Sequence, residues 1–191
     1  MSFSTAKGRG VQVMETIQAI ESRKSVRDYL PKPVEEKLLE ALIKAGRSAP
    51  KAGDFHISVV TNADTIKKID DKALSIMKNS TGFMKERADL EGYRPLYGAP
   101  VLFLISSPKV PFREMNAACA ATAITIASAG LGLASCYVVS ATLAFKDDDA
   151  LLRKLVGIPE GFSPVCGVLI GYGGGEKFSN SFVDEITISR H

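Results

Sequence analysis

The sequence predicts a three-layered domain of the α/β or α+β class, with a sheet of about four or five strands held between helices. Three observations carry this. Helix-like and strand-like segments alternate along the chain with no internal repeat and no break in composition. One run, Ala99–Ser106 ("APVLFLIS"), is apolar almost throughout, the pattern of a strand covered on both faces. Finally, 191 residues with 46% hydrophobic content suffice for one compact domain with its own core.

The elements follow in order. Ile17 and Ile20 share a face in "METIQAIESR", which predicts a first helix, and Pro31 and Pro33 then break the chain. Leu38, Leu39, Leu42 and Ile43 recur at helical spacing, and Gly46 and Pro50 close that second helix. "HISVVTN" reads as a β-branched strand and "ADTIKKIDDKALSIMKNS" as an amphipathic helix. The next segment, "TGFMKERADLEGYRPLYG", mixes charge, glycine and tyrosine without one period and is expected to be a mobile helix-and-loop excursion. After the apolar strand comes "NAACAATAITIASAGLGLAS", a long helix of small residues ending at Gly130 and Gly132. "SCYVVS" and "SPVCGVLIGYG" read as strands around a short helix in "DDDALLRKLVG", and "FVDEITISR" as a further edge strand. Residues 1–13 are expected to be an extension to a single domain over 14–191.

Composition excludes several classes of function. A net charge of +3 is too small and too dispersed for a nucleic-acid surface. No apolar run approaches the roughly 18–20 residues of a membrane span, and the opening residues lack a secretory signal, so a cytoplasmic protein is expected. Cys119, Cys136 and Cys166 are odd in number and far apart. With only two histidines besides, no metal site is expected, and the thiols read as reduced and structural.

The chemistry concentrates in "ESRKSVRDYLPKP", where Arg23, Lys24, Arg27 and Lys32 crowd around Ser25. Taken as helix, Arg23 and Arg27 share a face. Guanidinium forks and a hydroxyl suit a phosphate monoester, whereas cations at a helix C-terminus also complement its dipole. On the segment alone both readings stay open. "SAPKAGDFHISVV" is turn material placed where sheet proteins make ligand contacts. "GYGGGE" lacks the spacing of a nucleotide-binding loop and reads as a strand exit.

Taken together in order, these pieces resemble the nitroreductase family over roughly Met14–Tyr172. They are Arg23-x-Ser25-Val26-Arg27-x-Tyr29, the run Ala49, Pro50, Lys51, Asp54, His56, the strand in "YGAPVLFLIS", the helix end "GLGLASC", and "LVGIPEGFSPVCGVLIGY". The resemblance implies an α+β, three-layer α/β/α fold with a mainly antiparallel central sheet. It also implies an FMN cofactor, NAD(P)H as co-substrate, a small nitroaromatic, quinone or similar acceptor, and a homodimer. Arg23, Lys24, Ser25 and Arg27 would hold the FMN phosphate and ribityl chain. The loop of Pro50, Lys51, Ala52 and Asp54, with His56, would approach the flavin of the partner subunit. Val139 and Ser140 would flank the ring, and Lys177 would complete the phosphate site. No catalytic side chain is implied, since the flavin carries the chemistry.

The chain departs from the family pattern at Asp54, where asparagine is usual, at His56, where glutamine is usual, and in lacking the Pro-Trp pair. An ionised aspartate only accepts hydrogen bonds and adds charge near the ring, so Asp54 is expected to disfavour the reduced flavin. Two alternatives remain at this stage. One is a flavin-handling protein without true reductase turnover, and the other is a binding module for a different phosphorylated ligand.

Overall fold

The computed structural model describes residues 15–175 and 187–190. Four antiparallel strands form one sheet in the order β1-β2-β4-β3: β1 His56–Val60, β2 Val101–Pro108, β3 Ala134–Val138 and β4 Phe162–Gly171. Among the described residues six α-helices accompany it: α1 Thr16–Ser22, α2 Glu36–Arg47, α3 Ala63–Lys78, α4 Phe83–Ala88, α5 Arg113–Gly130 and α6 Ala150–Leu155. The expected edge strand at 182–190 falls mostly outside the described residues, and 187–190 are not strand.

The apolar run in β2 explains the layering. Side chains alternate across a strand, so Val101, Phe103 and Ile105 join one core, with Leu38 and Leu42 of α2 and Ala117 and Ile124 of α5. Leu102 and Leu104 join the other, with Ile69 and Ala73 of α3. The sheet is therefore covered on both faces, as the sequence predicts. Asn62 caps α3 by accepting from the Thr65 N–H at 2.9 Å, and Asp149 caps α6 by accepting from the Leu152 N–H at 3.0 Å.

Two glycines are required by close approach. A Cβ on Gly46 would stand 2.9 Å from Ile124 Cδ1, so the glycine lets α2 settle against α5. A Cβ on Gly171 would stand 2.7 Å from Pro100 and 2.8 Å from Tyr29, and Tyr29 belongs to the basic segment.

One element was not legible. Ser140–Phe145 form a 3-10 helix directly after β3, burying Ala141, Leu143, Ala144 and Phe145 in the core shared with α3. The excursion over 81–98 also differs from its reading as mobile. Ala88, Tyr93 and Leu96 are buried, and the buried Asp70 of α3 accepts from the Leu96 N–H at 2.8 Å and from Arg94 Nε at 2.5 Å. The segment is fastened down over α3 and forms a wall.

Candidate functional site

The basic segment is not helical where it matters. Arg23 ends α1 with ψ of 125°, and the chain then runs extended along the outer edge of β3. The Val26 N–H donates to Ser135 O at 2.9 Å, the Leu30 N–H to Tyr172 O at 2.8 Å, and the Gly174 N–H to Asp28 O at 3.0 Å. Ser25 bridges Ser135 and Tyr29 bridges Gly173. Along this strip Arg23, Lys24 and Val26 line one hollow, whereas Arg27 turns to a second, larger cavity. The sequence reading put Arg23 and Arg27 on one helical face, whereas the helix ends at Ser22 and the two arginines border different cavities. The helix-dipole account fails for Arg27, which lies in extended chain beyond the helix end.

Arg27 borders a cavity of about 430 Å³ between β3 and the excursion. Cys136 to Ser140 form its floor, Phe83, Met84 and Arg87 of α4 one wall, and Tyr93 and Tyr97 another. Arg23 and Lys24 are exposed and line a smaller hollow of about 240 Å³ with Gly132, Ser135 and Gly173. Of the expected site residues the structure thus brings together Arg27, Val139 and Ser140, with Ser25 beside Cys136 and Arg23 adjoining. Val139 is 54% exposed, and Ser140 is held by donating to Pro95 O at 3.1 Å.

The loop at 50–54 lies elsewhere. It leads into β1, at the opposite edge of the sheet from β3, roughly 14 Å away over three strand spacings. Asn116 of α5 shapes it, accepting from the Ala52 N–H at 2.8 Å and donating to Ala52 O at 3.2 Å. Pro50 is exposed and His56 half-buried at the start of β1. The Asp54 carboxylate is exposed and stands 3.7 Å from Lys51 Nζ. Within one chain, then, Asp54 does not face the Arg27 cavity. Lys177 lies outside the described residues, and Arg190 is exposed.

Cys136 sits within the field of Arg27, Arg87 and Arg23 and near Ser25. Burial still dominates and pushes its thiol up, and burial pushes the Cys166 thiol up to about 11. Both are therefore protonated at neutral pH, and a thiol is a weak nucleophile. Iodoacetamide at pH 7 is expected to leave Cys136 and Cys166 unmodified on the timescale that labels the unfolded chain, as read by intact-protein mass spectrometry. Rapid native labelling at Cys136 would mean that the cations prevail. Among the described residues no group of His, Cys, Asp or Glu could hold a metal ion, and no helix is long and apolar enough to cross a membrane.

A basic strip thus lies beside an aromatic cavity on a four-stranded sheet covered on both faces. The nitroreductase family model matches residues 20–172, and the chain belongs to that family. It is similar to a nitroreductase with bound FMN from Bacteroides fragilis, at TM-score 0.76 and 26% identity, over 92% of this chain and 100% of that one. A nitroreductase with bound FMN from Desulfitobacterium hafniense shares the fold at TM-score 0.83 and 24% identity, over 92% and 98% of the two chains. A Methanothermobacter thermautotrophicus protein with the provisional name NADH dehydrogenase/NAD(P)H nitroreductase is 26% identical over 170 residues, 85% of this chain and 79% of its own.

Proposed function

We propose that this chain is an FMN-dependent oxidoreductase that passes hydride from NAD(P)H to a small acceptor such as a nitroaromatic or quinone. The observation that carries the reading is the Arg23–Ser25–Arg27 strip laid against β3 beside the aromatic cavity. The donor set fits the cofactor. Two guanidinium forks and a hydroxyl match a phosphate, and the β3 side of the cavity of about 430 Å³, at Val139 and Ser140, suits a flat heteroaromatic ring. When bound, FMN supplies the two-electron hydride chemistry. The chain's own residues anchor and screen. Arg23, Ser25 and Arg27 hold the phosphate end, Val139 and Ser140 border the ring's place, and the fastened excursion excludes water from one side.

The exposed loop of Pro50, Lys51, Ala52 and Asp54 fits a role across a subunit contact, as does a stripe on α5. Met115, Ala118 and Thr122 are exposed there at helical spacing, with Met115 at 64%, in a helix built from small residues. We infer a homodimer that buries more than about 2,000 Å² in total. Light scattering is expected to give twice the chain mass, and a flavin-loaded monomer at micromolar concentration would contradict it. Within such a dimer Lys51 partly offsets the charge of Asp54, so Asp54→Asn raises the flavin midpoint potential less than an unpaired aspartate would. The protein is read as cytoplasmic. The activity itself is tested by steady-state NADH and NADPH oxidation with a nitroaromatic or quinone. Turnover supports the reading, and FMN uptake without turnover favours a flavin-handling protein instead.

A further inference from the structure

The strip accounts for a phosphate, but it leaves one cation in the cavity without a task. Arg87 lies on α4, four residues after Phe83 and on the same face. Its guanidinium stands over the Phe83 ring at 5.9 Å and the Tyr93 ring at 5.3 Å, and it donates to the Tyr97 hydroxyl at 2.9 Å. The other arginines of the same layer have carboxylates. Arg94 pairs with Asp70 and Asp71, and Arg153 with Asp148 at 3.2 Å. No carboxylate among the described residues lies within ion-pair distance of Arg87, whose partners are phenols. Burial pushes the Tyr93 phenol up to about 12, so it stays neutral and supplies no counter-charge.

The surroundings specify the rest of a ligand. Phe83 is 71% exposed and Tyr137 45%, and with Met84 and Val139 they rim the cavity, an amount of exposed apolar surface that marks a binding site. Tyr97 holds a positive φ of 51°, an uncommon backbone state for a non-glycine residue. The hydrogen bond to the Tyr97 hydroxyl holds the fork at the cavity wall. A guanidinium pinned this way is prepared to receive a planar anion at low entropic cost.

We propose that this cavity selects small aromatic molecules that carry a carboxylate or similar anionic group, and that Arg87 reads the charge while Phe83 and Tyr137 pack the ring. The proposal deepens the FMN reading, on which it rests: the flavin takes the β3 side of the cavity, at Val139 and Ser140, and the acceptor the α4 side, at Phe83 and Arg87.

The test is calorimetric titration of the FMN-loaded protein with 4-nitrobenzoate and with its neutral counterpart 4-nitrobenzamide. The variants are Arg87→Gln and Arg87→Met, two neutral side chains of similar length, and FMN affinity and melting temperature are measured alongside. The wild type is expected to prefer the carboxylate by about tenfold or more, the scale of one charge-assisted contact. Both variants lose that preference and keep FMN affinity. No preference in the wild type, or one that persists in either folded variant, overturns the proposal. So does a matching loss of FMN affinity, which would assign Arg87 to the cofactor, and so does a fall in melting temperature with the preference intact, which would make it a structural staple. Failure of the FMN reading looks different. The wild type then takes up no FMN, and the carboxylate preference is read on the protein alone, where it stands or falls by the same outcomes.

Discussion

Replacing Arg23 and Arg27 together with alanine is expected to weaken FMN binding by about a hundredfold or more. Each charge-assisted contact to a phosphate contributes about 1.5–3 kcal/mol, and two of them reach the 2.7 kcal/mol or so that a factor of a hundred requires. The two contacts share one ligand, so the double variant, not the sum of the singles, is the clean measure. The backbone of the strip is held independently of these side chains, through the Val26 and Leu30 hydrogen bonds, so the fold survives. Titration of the variant with FMN, with circular dichroism as the control, checks this. Unchanged affinity would return the segment to a solvated surface.

The second large effect is expected at Asp70. This buried carboxylate accepts from the Leu96 N–H and from Arg94, tying the excursion to α3. Asp70→Ala leaves a buried N–H without an acceptor and strips Arg94 of its more buried partner, while Asp71 remains. Hydrogen bonds to charged groups contribute about 1.5–3 kcal/mol each, so a loss of about 3 kcal/mol is expected in denaturant titration. The loss should be local as well as global. Amides over 83–97 lose hydrogen-exchange protection before those of β2 and β4, because the excursion has lost its fastening and the sheet has not. Uniform loss across the sheet would contradict the assignment of Asp70 as the excursion's anchor.

Much of this molecule was legible in its sequence for identifiable reasons. The apolar run at 99–106 has no polar face, the pattern of a strand buried on both sides. Helical periodicity at Leu38, Leu39 and Leu42 and the β-branched "ISVV" likewise fix element type. The basic segment was legible as chemistry but not as geometry. Its cations read equally as helix or strip, and only pairing with Ser135 and Tyr172, far away in sequence, decides between them. The excursion failed for the same reason. It is fastened by Asp70 of α3, whose pairing with Arg94 and the Leu96 N–H leaves no local signal. Cys136 acquires its cationic neighbours only when the strip lies against β3. The 3-10 helix at 140–145 is too short for periodicity to reveal.

The central claim is that the Arg23–Ser25–Arg27 strip and the adjoining cavity make this chain a flavin enzyme fed by a nicotinamide. The most direct measurement is the visible spectrum of the purified protein, saturated with FMN and then titrated with NADPH or NADH without oxygen. The account predicts one FMN per chain and a flavin band that bleaches with one equivalent of nicotinamide. A protein that binds no FMN, or one whose bound flavin stays oxidised under excess of both nucleotides, would contradict it.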